Sequence, residues 1–116
     1  MAFVLEDNPE SISWPVKVDV AQAGGTYRRM TFDAEFRVIG NEELQELFNP
    51  DDEATKTDFE WASQILVGWS GIQDKNGEEI TFSNKNLKIL IDRPGISKAI
   101  ADALLDSRGK ARQKNS

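Results

Sequence analysis

"ILVGWSGIQDKNGEEITFSNKNL", residues 65–87, decides how this chain folds, because Trp69 stands between Gly68 and Gly71 directly before a charged turn. Read at helical spacing, Phe59, Ala62, Leu66 and Trp69, with Ile65 alongside, form one apolar stripe. Thr57-Asp58-Phe59-Glu60 precedes them with the pattern of a capping box, a threonine N-cap and a glutamate three residues on. This spacing predicts a helix from Thr57 to about Trp69. Gly71 then supplies the left-handed residue that closes the helix, with Ile72 folding back on Val67, and Gly68 leaves room for a neighbouring backbone. On this reading Trp69 plugs the core and is scaffold, not a ligand platform.

Downstream, Asn76-Gly77 is a turn signal joining two short extended pieces. Its acids do not make a calcium loop: counted from Asp74, the sixth place needs glycine and holds Glu79, and the twelfth needs glutamate and holds Lys85. Ser83 caps a helix that turns Leu87, Leu90 and Ile91 inward, "DRPG" breaks it, and a last helix carries Ile96, Ile100, Ala103 and Leu104.

Upstream, "WPVKVDV" places Trp14, Val16, Val18 and Val20 on one side of a strand. "MTFDAEFRV" does the same with Met30, Phe32, Ala34, Phe36 and Val38. Gly24-Gly25 between them allows the positive φ angles of a hairpin turn. "NEELQELF" follows as a short helix, with Asn41 as N-cap and Leu44, Leu47 and Phe48 facing the core. The expected fold is α+β: an N-terminal two-stranded antiparallel hairpin packed against about four short helices. Trp14, Phe32, Phe36, Phe59, Leu66, Trp69, Gly71 and Gly77 are its structural residues. One domain spans residues 1–106, and residues 107–116 form a flexible basic tail.

Composition narrows the function. With 116 residues, no cysteine and no histidine, the chain has neither disulfides nor the common nucleophile and acid–base sets. The adjacent acids of "PDDE" read as solvated charge. No phosphate-binding or nucleophile-elbow motif occurs, so an enzyme is the poorest class, and no cofactor is expected. No apolar run reaches the roughly 18 residues of a membrane span, and the N-terminus lacks a secretory pattern, which points to a cytoplasm. The formal charge is −6, and the tail cations Arg108, Lys110, Arg112 and Lys114 leave −10 on the remainder. An acidic body repels phosphate backbones, so nucleic acid is not the expected partner.

The order of these pieces resembles the tail assembly chaperones of long-tailed bacteriophages and prophages. The resemblance covers about residues 3–106 and rests on the "FVLEDNP" opening, the hairpin, "NEELQELF" and the second half. In the second half Val67, Gly68, Trp69, Asp74, Gly77, Phe82, Ser83, Asn86, Leu87 and Leu90 match. The "SGIQ" after the tryptophan and Asn84-Lys85 depart from the pattern. The resemblance implies a non-enzymatic protein of the bacterial host cytoplasm that binds the tape measure protein during tail assembly and is absent from the mature virion. The major tail-tube protein is a second candidate partner. The alternatives are a tail or head-tail joining protein retained in the particle and a small carboxylate-dependent enzyme. Candidate partner-binding residues are Trp61, which points away from the apolar stripe unless the hairpin wraps it into the core, and the basic tail residues Arg108, Lys110, Arg112 and Lys114.

Overall fold

Strict two-residue alternation builds the first half of the molecule. The structure, a computed structural model, describes residues 1–5, 9–48 and 57–109. Strands β1 (Ser11–Gln22) and β2 (Thr26–Arg37) pair antiparallel in one unbroken register, from Ser11 opposite Arg37 to Gln22 opposite Thr26. Gly24 and Gly25 make the turn at φ 90° and 82°, angles at which a side chain is strained. Val16, Val18, Phe32, Ala34 and Phe36 are buried on one face, with Trp14 and Val20 packed partly against them.

Among the described residues four helices follow: α1 (Asn41–Leu47), α2 (Asp58–Ile65), α3 (Asn84–Ile91) and α4 (Ile96–Asp106). They bring Leu47, Trp61, Ala62, Ile65, Leu87, Ile96, Ile100, Ala103 and Leu104 into the same core as the buried face of the hairpin. Each fully buried aliphatic side chain contributes about 1.5–3 kcal/mol relative to exposure. The capping box at Thr57 is formed in both directions: the Glu60 amide donates to Thr57 Oγ1 at 3.2 Å, and the Thr57 amide donates to Glu60 Oε1 at 2.8 Å. Ser83 Oγ likewise accepts from the Asn86 amide at 3.1 Å to start α3.

The α+β class holds, and the two-stranded sheet is corrected to three strands. The α2 helix ends at Ile65, and Leu66–Ser70 is strand β3, paired antiparallel with β2 so that the order is β1-β2-β3. The misreading has a geometric cause. Phe36 opposes Leu66, Glu35 opposes Gly68, and the register shifts between them, leaving Val67 as the extra residue of a bulge. Leu66 and Trp69 are three residues apart, which in a regular strand puts them on opposite faces. The bulge returns both to the core side, and their spacing therefore imitates a helical turn.

Gly71 does have positive φ, 88°, yet it ends a strand rather than a helix. A Cβ placed there meets Phe32 Cα at 3.7 Å. Gly68 faces the Glu35 side chain at ordinary contact distance and not a passing backbone. Ile72 does not fold onto Val67, which is exposed; its carbonyl accepts from the Ile80 amide at 2.8 Å. Gly40, not Asn41, is the N-cap of α1, and it caps without a side-chain bond. Val38 leaves the expected alternation and is exposed, because the chain turns after Arg37 and sends Ile39 inward instead.

Candidate partner-binding surface

Trp61 lies on the first turns of α2, where the capping box fixes its direction. It is 6% exposed, and its indole stacks obliquely on Phe48 with ring centroids 5.2 Å apart. Its Nε1–H donates to Asp58 Oδ1 at 3.1 Å. Of the two placements the sequence left open for Trp61, the structure has the buried one, with Phe48 at the end of α1 beside the ring. Trp69 is also held within the molecule. Its Nε1–H donates to the Ile80 carbonyl at 2.7 Å, and its ring meets Phe82 edge-on at 5.0 Å. The tryptophan thereby bolts β3 to the chain after the charged turn, a scaffold role reached from a strand instead of a helix end. Phe59 is half-buried, with the Lys88 ammonium 6.0 Å from its ring centre.

In the charged turn, Gln73 bridges Glu79, and Gly77 takes φ 83°. Asp74 Oδ1 accepts from the amides of Asn76 at 2.8 Å and Glu78 at 3.0 Å. The carboxylate thus stabilises the turn itself. Among the described residues no group of three or more His, Cys, Asp or Glu is placed to hold a metal ion. The acids of "PDDE" lie outside the described residues.

Of the basic residues after α4, Arg108 lies within the described residues. The α4 helix ends at Asp106, but Arg108 folds back and donates to the Ile39 carbonyl at 2.7 Å and to Asn41 Oδ1 at 2.9 Å. It fastens the end of α4 to the start of α1. Lys110, Arg112 and Lys114 lie outside the described residues. Arg37, expected only as a solvent-facing strand residue, makes a second fastening. It donates to the Gln64 carbonyl through Nη2 at 2.8 Å and Nε at 3.0 Å, and it pairs with Glu43. The Glu43 carboxyl is held below its ordinary pKa, chiefly by the hydrogen bond from Arg37, which outweighs the opposing effect of desolvation and is aided to a lesser degree by the Arg37 charge. Between the two arginines lies a cleft of about 500 Å³ lined also by Phe3, Ile12, Val38 and Leu104. Both guanidiniums at its rim are already engaged.

The far end of the hairpin is exposed on every side chain, as are Phe3, Leu5 and Ile89 elsewhere. Every residue from Ala21 to Met30 is exposed, with Tyr27 at 71% and Met30 at 47%. Arg29 is paired with Asp19 at 3.0 Å, which lowers the Asp19 pKa chiefly through that hydrogen bond. Arg28 has no side-chain partner among the described residues. Residues 17–31 carry three cations and one anion, a net +2 within a chain of −6. Tyrosine, arginine and methionine are the residue types enriched where proteins meet. The hairpin tip escaped the sequence reading because its alternation continues that of the core strands. How far the helices extend over the hairpin was not written in that pattern.

The class defined by this arrangement is a small α+β domain, with no helix long and apolar enough to cross a membrane among the described residues. A family model described as phage tail assembly chaperone matches residues 1–115, and the chain belongs to that family. No curated protein and no solved structure matches it.

Proposed function

We propose that the protein binds the tape measure protein during phage tail assembly, holds it soluble until tube subunits polymerise around it, and leaves before the particle is mature. The family supplies the chaperone role. The observation that carries the finer reading is the projecting hairpin tip, with Tyr27, Arg28 and Met30 exposed beside one another in the chain. A long apolar client is an aggregation hazard until its surface is covered. A small acidic body suits that task, because its net charge keeps the complex dispersed while the tip makes contact. The role needs no reaction centre, and the protein acts by binding in the host cytoplasm; tail-tube subunits are a second candidate client.

The test is recovery of the tagged protein from cells assembling tails, together with protein analysis of purified particles. The proposal expects the tape measure protein to copurify and the chaperone to be missing from particles. Stoichiometric retention in finished particles assigns it instead to the structural proteins of the tail or head-tail joint.

A further inference from the structure

The β3 strand covers only part of β2. It pairs with Asp33–Phe36, whereas β2 continues to Thr26, and among the described residues no strand flanks Tyr27–Thr31 on that side. The chain leaves the sheet at Gly71, packed beside Phe32, and the edge beyond it stays open.

Which backbone groups face that edge follows from the register. The Val38 amide donates to the Glu10 carbonyl at 2.9 Å, one step beyond the pair Ser11 and Arg37, so even-numbered residues of β2 direct their backbone bonds at β1. Odd-numbered residues Tyr27, Arg29 and Thr31 turn N–H and C=O to the open side. Proline offers an independent check. The same count points the nitrogen of Pro15, opposite Asp33, at the outer edge of β1, where the missing N–H costs no ladder bond. The outer edge of β1 is thus blunted by proline and the distal edge of β2 is not.

We propose that the Tyr27–Thr31 edge takes an extended acidic segment of a partner protein as an added strand in line with β3. Charge selects the occupant. The ribbon is net positive on an acidic chain, and Arg28 stands without a partner among the described residues. A second copy is the wrong occupant: two such edges pairing about a two-fold axis bring Arg28 and Arg29 of both copies together, and like charges in opposition destabilise a strand pair. An incoming strand with an acid beside Arg28 and an apolar residue beside Met30 satisfies both the open backbone groups and the side chains of the inner face. The inference rests on the chaperone reading for the existence of a protein client and adds where and in what conformation that client is gripped.

The test uses the full chain and a fluorescein-labelled ten-residue peptide in which every second residue is threonine and the residues between alternate glutamate with valine, so that one face offers an acid and an apolar residue two places apart. Its controls are the same peptide with lysine for glutamate and a ten-nucleotide oligothymidylate. The glutamate peptide is expected to bind, to weaken as salt rises from about 50 to about 300 mM, and to slow amide hydrogen exchange at Tyr27, Arg29 and Thr31. Thr31→Pro removes one open-edge N–H and no charge, and it is expected to weaken binding about tenfold or more. Arg28→Glu, on an exposed side chain, is expected to do the same if the proline variant does not fold. Absence of peptide binding, equal binding by both variants, protection confined to other residues, or tighter binding of the oligonucleotide each overturns the proposal. Failure at this edge in a chain that still copurifies with the tape measure protein refutes the added strand and leaves the chaperone reading standing.

Discussion

The two ends of one hairpin differ more than any other two regions of the molecule. At its base, Phe36 and Ala34 are flanked by β1 on one side and β3 on the other and covered by helices. At its tip, Tyr27, Arg28 and Met30 belong to the same strand but are exposed, and among the described residues β3 does not reach them. Periodicity therefore assigns faces, and the reach of the neighbouring elements decides whether a face is core or surface. Base and tip are expected to respond oppositely to substitution: the base through stability, the tip through binding.

The largest effect is expected at the base. Phe36→Ala leaves a cavity between the sheet and the helices and is expected to cost about 3–5 kcal/mol, measured by denaturant unfolding. Trp61→Ala belongs in the same range, because it empties a buried indole site and removes the Phe48 contact. A Trp61 variant that unfolds like the parent but loses its client restores the anchor role that its burial argues against.

Gly71→Ala comes next. Its φ of 88° predicts a loss of roughly 1–2 kcal/mol, read from the same unfolding curve. No loss there means that β3 leaves the sheet by another path, which weakens the contrast between a flanked base and an open tip.

A smaller effect is expected from acid. The folded state holds the Glu43 carboxyl below its ordinary pKa, so the Arg37 pair stabilises fully at neutral pH and loses its contribution as pH falls through that lowered value. The stability difference between the parent and Glu43→Gln is expected to be constant near neutrality and to shrink on acidification. A difference that is independent of pH removes the charge from the explanation. Smallest of all, Met30→Ala at the tip is expected to shift stability by less than about 0.5 kcal/mol, and a larger loss places the tip within the core.

Much of this was legible before any coordinates. Alternation in residues 14–20 and 30–36 specified the hairpin, Gly24-Gly25 its turn, Thr57 and Ser83 two helix starts, and Ile96, Ile100, Ala103 and Leu104 the buried face of the last helix. Each is a local pattern whose physics is complete within a few residues. What stayed hidden depends on partners distant in sequence. The β3 strand was unreadable because its bulge at Val67 gives Leu66 and Trp69 the spacing of a helix. Arg37 and Arg108 gave no sign that they reach the Gln64 and Ile39 carbonyls, since backbone acceptors carry no residue signature. Of the candidate site, Trp61 was singled out by type yet lies buried. Tyr27 and Arg28 were passed over, and Met30 was assigned to the core side although it is exposed, because an exposed ribbon end and a core strand share one alternation.

The most direct test of the contrast is coexpression of the tape measure protein with the parent chain and with a variant carrying Tyr27→Ala, Arg28→Ala and Met30→Ala. The expected result is a variant that melts with the parent yet leaves the tape measure protein insoluble, while the parent keeps it in solution. A variant that folds normally and solubilises the client as well as the parent contradicts the assignment of the hairpin tip as the gripping surface.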